Sequence, residues 1–147
     1  MHQEPNLGGQ ERGSDAAAGT MSAQDERTWS VLAHLSMLLV FVSLIPFGAL
    51  LIWLIYKDRS EKVRFHALQA LWYQVAWIVF FIAYTLVTVV LSVLTLGLAT
   101  IPLVLLGLVL AVVPVIHGCF AAYQVSQGVE YRYPFIADKI EGPRRVT

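Results

Sequence analysis

Charged positions gather at the two ends of the chain and in one central cluster, and two long stretches between them carry none. Residues 28–56 contain no Asp, Glu, Lys or Arg, and neither do residues 67–129. A core helix of a soluble protein shows a polar face at helical period, whereas these stretches are apolar almost all round. A hydrocarbon core about 30 Å thick takes roughly 20 apolar residues of helix. The longer stretch therefore predicts two helices, residues 63–96 and 101–127, joined by the turn "TLGLATIP". Gly97 can end the first, and Pro102 can sit in the first turn of the second. Pro114 falls inside the second helix, where it predicts a kink and strips the Leu110 carbonyl of its usual partner. Gly128 is a helix stop signal.

The shorter stretch reads "TWSVLAHLSMLLVFVSLIPFGALLIWLIY". Residues 31–56 would make about 39 Å of helix, long for one span and short for two. Pro46 and Gly48 divide it near the middle. Two arrangements fit. One is a single kinked and tilted span, for three spans in all. The other is a broken hairpin of two short helices turning at "SLIPFG", for about four helices. Either way the fold class is all-α, a polytopic helical membrane protein. Three parts result: a polar N-terminal tail over residues 1–27, a helical transmembrane domain over 28–127, and a C-terminal tail over 128–147. The N-terminal tail carries five acids against two arginines and no apolar core of a signal peptide. Its composition predicts disorder. Met21 opens "MSAQDERTW" and is an alternative start of translation.

Composition sharpens this picture. Hydrophobic residues are 57% and charged residues 14%, against roughly half and a quarter in a soluble domain. The net charge is zero, so no basic excess points to nucleic acid. Cys119 is the one cysteine, which excludes an internal disulfide. Lys57, Arg59, Lys62 and Arg64 lie in the central cluster, and Arg132, Lys139, Arg144 and Arg145 in the C-terminal tail. The turn between the last two helices carries no charge. Cationic flanks stay in the cytoplasm. That predicts a multi-pass protein of the cell (plasma or inner) membrane with its central loop and C-terminus cytoplasmic.

Candidate chemistry is sparse. His66, Gln69 and Tyr73 are three and four residues apart and share a helix face, with Gln74 beside them and Trp77, Tyr84 and Thr88 continuing it. His117 and Gln124 fall near one face of the last helix, and His34 lies in the first apolar stretch. Such groups in hydrocarbon need partners. Their readings are interhelical hydrogen bonding or a polar lining, and His117 could donate to the carbonyl loosened by Pro114. The histidines and Cys119 lack any metal-ligand spacing, no cofactor motif is present, and no nucleophile is paired with a base. Gly118 and Ala122 form a small-xxx-small pair that lets helices approach. Two charged segments are docking candidates. One is Lys57, Asp58 and Arg59 in the loop. The other is Tyr131, Arg132, Tyr133 and Pro134, read as an interfacial anchor or as a strip folded back on that loop.

Three blocks, "ERTWSVLAHLSMLL", "LIWLIYKDRSEKVRFHALQALWYQ" and "GVEYRYPF", resemble a family of small bacterial membrane proteins. That family is grouped with the chloroplast inner-envelope import component of the Tic complex. The resemblance covers residues 26–140. It implies four helices with both ends on the cytoplasmic side. It singles out Trp29, His34, Lys57, Asp58, His66, Gln69, Ala70, Gln74, Tyr131, Arg132, Tyr133 and Pro134. The function it implies is non-enzymatic: association with partner membrane proteins in protein translocation or membrane-complex assembly. The competing reading is a small oligomeric channel or carrier lined by His66, Gln69, Tyr73, His117 and Gln124. The expected partners are the lipid bilayer and other membrane proteins or further copies of the chain.

Overall fold

The structure, a computed structural model, describes residues 21–141. The described residues form five α-helices and one 3-10 segment: α1 (Ala23–Leu35), the 3-10 segment (Ser36–Val42), α2 (Phe47–Tyr56), α3 (Glu61–Leu94), α4 (Thr100–Ser126) and α5 (Ile136–Glu141). No strand occurs among the described residues.

α1 starts inside the stretch assigned to the polar tail. Ser22 caps it, accepting from the Asp25 N–H at 3.0 Å, and Asp25 and Glu26 occupy the first turn, where acids favour the helix dipole. The expected tail thus divides: residues 23–27 are helical, and 1–20 lie outside the described residues. Between α1 and α2 the chain does not continue as one span. The 3-10 segment ends at Ser43, whose φ is 57°, and the Ile45–Pro46 bond is cis. α2 then returns, so the broken hairpin is the arrangement found. Its 10 residues reach only about 15 Å.

The two long helices lie within a few residues of their predicted bounds. The Ser60 side chain accepts from the Val63 N–H and caps α3. α3 closes on a paired-bond terminus, with Gly97 N–H donating to Ser92 C=O and Leu96 N–H to Val93 C=O. This is the Schellman arrangement, but Leu96, not glycine, holds the left-handed position next to the cap, at φ 50°. α4 ends the same way at Gly128, φ 81°, with Val129 N–H on Gln124 C=O and Gly128 N–H on Val125 C=O. Pro114 lies inside α4, as expected, and the helix continues through it.

α1 runs beside α3 in the same direction. Glu26 meets Ser60, His34 meets His66, and Ser36 meets Gln74. α2 folds back and buries Ala49 and Ile52 against Val63, Ala67 and Ala70. α4 is antiparallel to α3, with Tyr73 opposite His117 and Tyr84 opposite Leu103. α1 crosses α4 at Gly118, where an added Cβ would stand 3.1 Å from Met37 Cβ and 3.3 Å from the His34 carbonyl.

Packing divides the molecule in two. Every buried residue of α3 lies within residues 63–74, and those of α4 within 114–125. The rest is a two-helix apolar hairpin. Both α3 and α4 are long and apolar enough to cross a membrane, and no residue in the most apolar window of α3 is buried. At the tip Leu96 is 98% exposed. The turn's polar groups are used locally: Thr95 Oγ1 donates to Leu91 C=O and accepts from Ala99 N–H, and Thr100 Oγ1 donates to Ser92 Oγ.

Candidate functional site

The packed end holds a polar cluster beneath the C-terminal strip. α3 supplies most of it, because residues 66, 69 and 73 fall on one helix face and that face turns inward. His66, Gln69 and Gln74 are buried, and so are His34 and Tyr133. The strip leaves α4 at Gly128, crosses the start of α3, and enters α5. The predicted tail is therefore docked on the helices as far as Glu141, and residues 142–147 lie outside the described residues.

Gln69 is the anchor. Its Oε1 accepts from the Tyr133 N–H at 2.8 Å, and its Nε2 donates to the Tyr131 carbonyl at 3.3 Å. One amide thus satisfies two backbone groups of an extended segment. Tyr133 stacks on Tyr73, with ring centroids 4.2 Å apart and planes 13° from parallel. His117 sits between two hydroxyls, with Nδ1 2.8 Å from Tyr73 Oη and Nε2 against Tyr131 Oη. A neutral imidazole has one donor and one acceptor, so one tyrosine donates to it and the other accepts. The use expected for His117 is corrected here: its ring reaches two tyrosines rather than the carbonyl freed by Pro114.

Beside the two tyrosines of the strip, His34 Nε2 lies 3.2 Å from His66 Nδ1. That bond holds one proton, so of the two outer nitrogens one is a donor and the other an acceptor. Those outer nitrogens, with Ser30 Oγ and Gln74 Oε1, are buried without a hydrogen-bond partner among the described residues. Gln74 Nε2 donates to Ser36 Oγ at 2.8 Å, and Ser36 Oγ donates to the Ala33 carbonyl at 2.6 Å.

Magnitudes rank the contacts that hold the strip. Half-buried Arg132 pairs with exposed Asp138 at 3.4 Å, and pairs open to solvent contribute about 0–1 kcal/mol. The two Gln69 bonds contribute about 0.5–1.5 kcal/mol each, and leaving either group buried and unpaired costs about 1–3 kcal/mol. The Tyr73–Tyr133 stack adds about 0.5–1.5 kcal/mol beyond its buried area. Buried contacts therefore dominate. Burial raises the Tyr131 hydroxyl above its ordinary pKa. It raises Tyr133 further, helped by Tyr73, Tyr131 and Cys119. Both hydroxyls stay neutral through the physiological range.

The structure brings His34, His66, Gln69, Tyr73, Gln74, His117, Tyr131 and Tyr133 into this cluster. Arg132 lies over the Phe65 ring at 5.2 Å. Pro134 is exposed at the edge. Gln124 stays outside, half-buried, and it is its backbone carbonyl that bonds, closing α4. The loop residues do not join the strip. Lys57 lies over Trp53 at 5.5 Å, and Asp58 and Arg59 are exposed, with no side-chain hydrogen bond or ion pair among the described residues. The faces predicted to line a passage instead meet each other, Tyr73 against His117. Ser36, Phe65 and the Glu26–Ser60 bond, 2.6 Å, were not foreseen. Only Ser60 left a signal, a serine three residues before an apolar helix position.

Among the described residues no group of three or more His, Cys, Asp or Glu is placed to hold a metal ion. Two grooves beside the cluster are apolar. One, about 500 Å³, lies between Met37, Val40 and Ile45 and the facing parts of α3 and α4. The other, about 340 Å³, borders Tyr133 and Pro134.

No curated protein matches the chain, and no solved structure does. A family model described as the magnetosome magnetite crystal formation protein family matches residues 25–140. This overturns the resemblance to the Tic import component, and the expected role in protein translocation or membrane-complex assembly falls with it. The cluster residues, His34, His66, Gln69, His117 and the "YRYP" strip among them, fall within the matched residues. The chain belongs to the magnetosome magnetite crystal formation protein family.

Proposed function

We propose that this chain is a multi-pass protein of the magnetosome membrane, that α3 and α4 cross the bilayer, and that it serves magnetite crystal formation without catalysing a reaction. The observation that carries the reading is the bare apolar hairpin of α3 and α4, with the charges gathered at the opposite end. In water this surface would aggregate, and in lipid it is solvated. The positive-inside pattern supports a cytoplasmic charged end. The polar cluster supports a structural part, since Gln69 and His117 hold the C-terminal strip while the His34–His66 and Tyr73–His117 contacts join α1, α3 and α4.

Two measurements test this. The full chain, expressed in a bacterial host, should float with membranes and resist alkaline extraction. Reporters fused at Thr147 and within residues 95–100 should land on opposite sides. Recovery in the soluble fraction, or both reporters on one side, would overturn the membrane reading. In a crystal-forming cell lacking its own family member, expression of this chain should restore crystal size, measured by electron microscopy. Membrane insertion with no effect on the crystals would overturn the mineral role alone.

A further inference from the structure

The cross-section of the molecule changes from one end to the other. α1, the 3-10 segment, α2, the C-terminal strip and α5 all pack around the charged end of the α3–α4 hairpin. None of them covers its far end. The groove between Met37, Val40 and Ile45 and the long helices stops at Leu86 and Ala111. Beyond it, Val87, Val89, Val90, Val93 and Leu94 stand exposed on α3, and Ile101, Val104, Leu105 and Leu108 on α4.

The depth of these parts follows from length. The tip is uncharged and its leucines are exposed, so the hydrocarbon boundary lies near Leu94. Counting back about 30 Å along α3, at 1.5 Å per residue, reaches about Gln74. Gln74 is also the last buried residue of α3. The packed end therefore sits at one headgroup level, the 3-10 segment and its turn dip into the adjoining leaflet, and two helices alone cross the other leaflet.

Resting on the bilayer reading above, we propose that the chain is a wedge whose partner is a strongly curved lipid membrane. It gathers where the leaflet at its charged end is convex. A body wider in one leaflet displaces more lipid there. In a flat bilayer the lipids around the narrow end must splay or tilt, and the membrane deforms at an energetic cost. Where the wide end lies in the convex leaflet, that leaflet already has the larger area and the deformation is relieved. The strip is the keystone of the wide end, because Gln69, Tyr73 and His117 hold it across the start of α3 and the end of α4. A small closed compartment with its charged side outward has the curvature that this shape selects.

The test uses the full chain, fluorescently labelled, in phosphatidylcholine vesicles containing phosphatidylglycerol, with a wide spread of diameters. Protein density is read vesicle by vesicle against size, and orientation by protease added outside. The expected result is a several-fold higher density in the smallest vesicles, with the charged end outward. The triple variant Val87→Phe, Val90→Phe, Val104→Phe widens the narrow end at exposed positions and leaves the packed end untouched. It should insert equally well and lose most of the preference. Insertion at equal density in all sizes, or a variant that keeps the full preference, overturns the wedge and leaves the membrane reading standing. A chain that stays off every vesicle overturns both.

Discussion

Gln69 shows what a single residue does here. Its side chain satisfies two backbone groups of the strip, and hydrocarbon neighbours could replace neither bond. Gln69→Leu should destabilise the packed end by about 2–6 kcal/mol, from two groups left unpaired. Limited proteolysis in mild detergent would then cut near Val129, whereas a strip as protected as in the parent protein would sink the anchoring role. Tyr73 and Tyr133 should be coupled by about 1 kcal/mol in a double-mutant cycle of leucine substitutions; additive single effects would argue against the stack. The pH dependence has a definite sign. The pKa values of Tyr131 and Tyr133 are raised in the fold, so below the free tyrosine value of about 10 their contribution is fully present. It is lost as pH rises through the folded values, because the unfolded chain releases those protons first. Absorbance titration should show tyrosines ionising above the ordinary range, and stability falling in the same alkaline window. Substituting both by phenylalanine should reduce the number of late ionising groups by two.

At the scale of elements, the crossing of α1 over α4 depends on Gly118. Met37 Cβ and the His34 carbonyl already face it, and a backbone carbonyl cannot swing aside. Gly118→Leu should cost about 1–3 kcal/mol as an overpacked contact, read as a lower midpoint of thermal unfolding in detergent. An unchanged midpoint would mean that α1 is held elsewhere. The pair Gly118 and Ala122 was readable beforehand because small residues at that spacing admit a neighbouring backbone. Which helix it admits was not, since the spacing carries no information about a partner. The same distinction holds for the ends of helices. Gly128 announced its own stop, whereas Leu96 took a left-handed position that residue type alone argues against.

At the scale of the whole molecule, the contrast between a packed charged end and a bare hairpin is open to chemical labelling. In a Cys119→Ser background, Val90→Cys should resist a membrane-impermeant maleimide in sealed vesicles and react once detergent is added. Asp58→Cys, which is exposed beside the central loop, should react from one side only. Rapid labelling of the Val90 position in intact vesicles would place α3 in water and remove the basis of the bilayer reading.

The long helices and the uncharged turn between them were settled by the sequence alone. These features follow from solvation, and solvation of a helix depends on which residues it contains more than on what it meets. The His66, Gln69 and Tyr73 face was legible for the same reason, because helical period places residues on faces. The partners of that face belonged to the tertiary structure. Nothing in "YRYPF" states that its backbone will lie on Gln69 or its second ring on Tyr73, nor in "LAHLSM" that His34 will meet His66. Those contacts join residues far apart in the chain, and only the packing of α1, α3 and α4 brings them within reach. The return of the chain at Pro46 was likewise left between two arrangements by the sequence, and packing of Ala49 and Ile52 on α3 decided it.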